Sequence, residues 1–152
     1  MKRTYVILAS VLATATATAT VASAQPSAHA SRAAVVSLRH TSLGKVLVNS
    51  SGRTLYEFTR DRSGKDSCMS ISGCPAIWPP LKSTGKPLAG SGVRASLLST
   101  INLPGGVKQV IYAGHPLYLY SGDSGPGETS YVGALAFGGA WDAVSSSGHA
   151  VK

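Results

Sequence analysis

Two tyrosines and two aspartates recur in this chain at one spacing, and their side chains offer the most chemistry. Gly52-Arg53-Thr54-Leu55-Tyr56-Glu57-Phe58-Thr59-Arg60-Asp61 returns as Gly114-His115-Pro116-Leu117-Tyr118-Leu119-Tyr120-Ser121-Gly122-Asp123, both reading G-x-x-L-Y-x-(F/Y)-x-x-D. A carboxylate accepts hydrogen bonds or grips a cation, and tyrosine joins an aromatic face to a hydroxyl. Tyr56, Phe58, Asp61, Tyr118, Tyr120 and Asp123, together with Trp78, Trp141 and His115, are therefore the candidate binding residues, with a sugar, a peptide or a cation as the ligand. On a strand, the Tyr and the aromatic two residues later share one face while the preceding Leu takes the other, so both faces carry apolar bulk. The Asp, five residues beyond the Tyr, falls past the strand end, where a short carboxylate staples a Gly-rich turn by accepting its N–H groups. Two readings stand: an aromatic core strand with an Asp-stapled turn, or two related edges of a ligand groove.

Other chemistries find less support. No G-x-S-x-G elbow occurs, and Asp61 and Asp123 alone do not argue a glycosidase carboxylate pair. Gly125 to Gly127 lack both the Lys-Ser/Thr and the helix of a phosphate loop. His115 stands where the first copy has Arg53, which argues against a shared catalytic role, and His29, His40 and His149 are scattered. The expectation is a protein without catalytic residues, cofactor or metal site. The alternative is a metal-handling or redox accessory, drawing ligands from Asp, Tyr, His115 and Met69.

The elements that position these residues repeat as well. Val36 and Leu98, Gly44 and Gly106, Val48 and Val110 keep the 62-residue offset of Tyr56 and Tyr118, while Trp78 and Trp141 need one inserted residue. The pattern predicts strands over 34–39, 45–48 and 54–58, then 96–101, 107–112 and 116–120. Asn49 to Gly52, Pro104 to Gly106 and Ala113-Gly114 are the turns between them, the last as a tight hairpin. Cys74 to Trp78 suits one helical turn that Pro79-Pro80 ends. The fold class is all-β: two tandem, pseudo-twofold-related repeats (about 33–81 and 95–144) of about four short antiparallel strands, joined by a linker (82–94). They share one core, closed as a small sandwich or barrel, because neither repeat alone has enough apolar surface.

Lys2 and Arg3, the apolar Tyr5 to Leu12 stretch and Ala22-Ser23-Ala24 form a secretory signal peptide (1–24) cleaved after Ala24, with Ala28-His29-Ala30 as a second small-residue site. An uncleaved anchor fits less well, because threonines interrupt the segment and its apolar core falls short of the roughly 20 residues of a span. Residues 25–32 read as a flexible lead-in and 147–152 as a C-terminal tail. Losing Lys2 and Arg3 lowers the net charge from +8 to +6, and Arg60, Arg62 and Lys65 form the one dense basic cluster, able to attract an anionic wall polymer. Aromatics do not interleave with the basic residues, so no specific nucleic-acid footprint is present. Cys68 and Cys74 in an exported chain read as a disulfide that pins the local segment.

The two Y-x-(F/Y)-x-x-D copies, Leu43 to Val48, Cys74-Pro75-Ala76-Ile77-Trp78-Pro79-Pro80-Leu81, Gly114 to Tyr118 and Phe137-Gly138-Gly139-Ala140-Trp141 together resemble the bacterial "secreted repeat of unknown function" family over about residues 35 to 145. That family is often described as predicted lipoproteins with a Y-x-(F/W/Y)-x-x-D motif. The resemblance implies an exported bacterial protein with two repeats, and it supplies no catalytic residues. The lipobox Cys of the lipoprotein members is missing here, so release rather than acyl anchoring is expected. The functional expectation is a secreted, non-catalytic structural or ligand-binding module of the cell envelope.

Overall fold

A computed structural model describes residues 32–152; the expected signal peptide and nearly all of the lead-in lie outside the described residues. The strands, with one α-helical turn and three short 3-10 turns (Cys68–Ser70, Ala95–Leu97 and Pro104–Gly106) among them, are β1 (Val35–Thr41), β2 (Gly44–Asn49), β3 (Tyr56–Phe58), α1 (Cys74–Ile77), β4 (Lys82–Ser83), β5 (Leu88–Ala89), β6 (Leu98–Asn102), β7 (Lys108–Tyr112), β8 (His115–Pro116), β9 (Ala134–Ala136), β10 (Gly139–Val144) and β11 (Ala150–Val151). Each repeat opens with an antiparallel hairpin. β1 pairs β2 in the register Val36 to Asn49, and β6 pairs β7 in the register Leu98 to Tyr112. Gly44, at φ +101°, closes the first hairpin in a conformation that side chains avoid. Ala113 and Gly114 (φ +50° and +89°) form the expected tight turn from β7 into β8.

Beyond the hairpins the repeats exchange partners. Tyr56 and Tyr118 face each other antiparallel, each donating its N–H to the other's carbonyl at 3.0 and 2.9 Å. β3 of the first repeat pairs with β10 of the second, Phe58 opposite Trp141 and Tyr56 opposite Ala143. The counterpart of β10, the segment after Trp78, lies along the second motif: Leu119 donates to the Pro79 carbonyl at 3.0 Å and Leu81 to that of Leu117 at 2.8 Å. Each repeat's Trp segment therefore completes the other repeat's sheet.

The core follows the same symmetry. Val36 and Leu98, Leu55 and Leu117 meet in one aliphatic cluster with Leu47, Val110 and Tyr112, while the motif aromatics pack as a second cluster around Cys68 and Cys74. The all-β class and the shared core match the sequence expectation. Two segments carry more structure than expected: β4 and β5 lie in the linker, and β11 in the supposed tail pairs with Ala143 and Val144.

Candidate functional site

The motif tyrosines sit at the exchange point, and this decides where their hydroxyls go. Asp61 lies past the end of β3; the expected second-copy strand stops at Pro116, with Tyr118 held by isolated bridges, and Asp123 follows it in irregular chain, yet each Asp comes under the tyrosine of the opposite repeat. Tyr118 donates to Asp61 Oδ2 at 2.7 Å, and Tyr56 to Asp123 Oδ2 at 3.0 Å. Burial, reinforced by the carboxylate beneath, pushes both tyrosine hydroxyls well above their ordinary value, so they remain donors. Burial also lifts Asp61 from 3.8 to about 6, against the lowering effect of the Tyr118 hydroxyl and the Ser67 N–H, and it raises Asp123. The expected Asp-stapled turn forms once: Asp61 Oδ1 accepts from the Ser67 N–H at 2.7 Å, whereas Asp123 Oδ1 meets no protein donor. In the second copy Glu128 does that work, accepting from the Ser124 N–H at 2.9 Å and hydroxyl at 2.8 Å.

The aromatics form a column about the same axis. Trp78 and Trp141 stack at 3.8 Å with planes 1° apart, Phe58 stacks on Trp141 at 4.1 Å, and Tyr120 packs on Trp78 at 4.8 Å. Tyr131, which the sequence reading did not single out, extends the column by stacking on Tyr120 at 4.1 Å. Tyr56 and Tyr118 meet Trp78 and Trp141 edge-on. Tyr56, Trp78, Tyr118 and Trp141 are 0% exposed and Phe58 2%. The structure thus brings the candidate aromatics and both aspartates together and encloses the rings of Tyr56, Phe58, Trp78, Tyr118 and Trp141 in the core; Asp61, His115 and Tyr120 keep partial exposure.

His115 lies apart from the column. Its Nδ1 stands 3.4 Å from Glu57 Oε2, and with Asp61, Ser63 and Gly114 it lines a cleft of about 90 Å³. Burial, then the proximity of His149, holds the imidazole below its ordinary value. Glu57 is a residue that sequence reasoning missed. It occupies the variable position between Tyr56 and Phe58, directly opposite Asp142 of β10, and both are buried. Burial, then the charges of Asp142 and Asp61, raises Glu57 from 4.5 to about 7, while Lys152 opposes the shift. Glu57 Oε2 and both Asp142 carboxylate oxygens lack a hydrogen-bond donor. The acid at the variable position was the available signal, but nothing local showed that β10 would cover it with a second acid.

The remaining sequence candidates are also placed. Cys68 and Cys74 form the disulfide, buried against the aromatic column. Within the basic cluster, Arg60 donates to the Phe137 carbonyl at 2.8 Å. Among the described residues no group of three or more His, Cys, Asp or Glu is arranged to hold a metal ion, and no helix is long and apolar enough to cross a membrane.

No curated protein and no solved structure matches the chain. One family model matches it twice, over residues 37–82 and 99–145, which together make more than half of its length. Those two matches are the two halves of the exchanged fold, each ending just past its tryptophan, and the chain belongs to the family described as secreted repeat of unknown function.

Proposed function

We propose that this chain is a non-catalytic structural module of the bacterial cell envelope, exported by cleavage after Ala24, in which the repeated motif is scaffold and any partner is met at the surface. The observation that carries the reading is the crossed Tyr118–Asp61 and Tyr56–Asp123 bonding, which commits the motif's polar groups to one another inside the fold. Both cysteines are joined as well, and the motif tyrosines stay protonated at neutral pH, so neither supplies a ready nucleophile.

Titration of the secreted chain with envelope glycans, read by tryptophan fluorescence, tests this. Because Trp78 and Trp141 are 0% exposed, the spectrum should not change. Saturable quenching that Trp78→Phe abolishes would show instead that the column opens to a ligand. The mass of the chain secreted by its host reports the cleaved terminus, and a start at Gln25 is expected.

A further inference from the structure

A cleft of about 480 Å³ lies between β4 and the turn that leads into β7, within the about 300–1,000 Å³ typical of small-molecule sites. Arg32, Lys82 and Lys108 line it together with Ser83, Gly106 and Val107, and no acidic residue does. The cations come from distant parts of the sequence and meet at the β4–β7 edge, where Lys82 is opposite Gln109. Ser83 is opposite Lys108 across β4 and β7, and the Ala34 N–H donates to Ser83 Oγ at 2.9 Å, tying the chain that carries Arg32 to the same edge.

Among the described residues, Arg32, Lys82 and Lys108 form no ion pair. The six side-chain carboxylates are held elsewhere: Asp61 and Asp123 under the motif tyrosines, Glu57 opposite Asp142, Asp66 and Glu128 capping their own turns. The positive charge that sequence reading assigned to Arg60, Arg62 and Lys65 differs, because Asp61 and Asp66 stand among those residues. Three exposed cations around a concave surface without a counter-charge repel one another, and a multivalent anion relieves that repulsion. A guanidinium offers a planar fork of donors and an ammonium a point charge, the pair of groups that recurs around phosphoryl oxygens. A phosphate group concentrates about −1.5 to −2 charges on three acceptor oxygens.

We propose that this cleft is a binding site for phosphate-bearing anions, distinct from the motif and independent of its structural role. The test is a titration of the ¹⁵N-labelled secreted chain with tripolyphosphate, followed by amide shifts, with citrate as a carboxylate anion for comparison. Shifts should concentrate at residues 82–84 and 106–108. Lys82→Gln with Lys108→Gln should weaken binding about tenfold, whereas Arg62→Gln with Lys65→Gln should change it by less than about twofold. The shift map of the unsubstituted chain tests the location without reliance on any variant. Absence of binding, shifts spread equally over all basic residues, or citrate binding as tightly as tripolyphosphate would overturn the proposal.

Discussion

The hydroxyls of Tyr56 and Tyr118 are satisfied by carboxylates 67 and 57 residues away in sequence, a pairing that no reading of either copy alone contains. The sequence reading placed each Asp beside its own turn, and Asp61 does accept from Ser67; its second oxygen serves the other repeat. Glu57 and Asp61 are the residues whose protonation should register in stability. The value of Glu57 rises from 4.5 to about 7 in the fold, and that of Asp61 from 3.8 to about 6, so the folded state holds protons more tightly than the unfolded chain. The resulting stabilisation is complete below the unfolded values and is lost as pH rises through the folded ones. Urea midpoints should therefore fall between pH 5 and pH 8. His115, held low and half exposed, contributes the opposite slope. Glu57→Gln should flatten the fall and leave the protein more stable than the parent at pH 8, whereas an unchanged profile would assign the slope to other groups.

Among the elements, the hairpins were legible because their periodicity and turn residues are local. β1 with β2, β6 with β7 and the Ala113-Gly114 turn form within a few residues of expectation. β4, β5 and β11 were not legible: each is two residues long and exists because a longer strand offers it an edge. Gly148 shows how tightly the last of these is fitted. It has φ +85°, and a Cβ there would stand 2.2 Å from Ala113 Cβ. Gly148→Ala should destabilise by about 2 kcal/mol, combining backbone strain with a core-like clash, and amide exchange should quicken first at Ala143 and Val144, the partners of β11. The disulfide acts on α1, whose end carries Trp78. Its removal by Cys68→Ser with Cys74→Ser should cost about 2 to 3 kcal/mol and loosen residues 67–78 first, seen as enhanced tryptophan quenching by acrylamide.

The whole molecule is two repeats that finish each other. A shared core could be inferred from composition, but the exchange of the Trp segments is a tertiary choice without a local signal. The site suffered the same limit: the aromatics named from the sequence pack as a column with Asp61 and Asp123 beneath the tyrosines, while His115 lies apart beside Glu57. Fragments 32–90 and 91–152 should each be unfolded in isolation. Mixed, they should recover the far-ultraviolet circular dichroism exciton couplet expected from two indoles stacked at 3.8 Å; a fragment that shows ordered aromatic signals alone would refute the mutual completion. Double-mutant cycles between tyrosine and aspartate show whether the motif joins one repeat to the other. Tyr→Phe and Asp→Asn variants, measured by urea unfolding, should give coupling energies of about 1 to 3 kcal/mol for Tyr118 with Asp61 and for Tyr56 with Asp123. Coupling for Tyr56 with Asp61 and for Tyr118 with Asp123 should stay within about 0.5 kcal/mol of zero. The reverse ranking, with coupling inside each copy and none across, would mean that the motif stabilises each repeat separately and does not join the two.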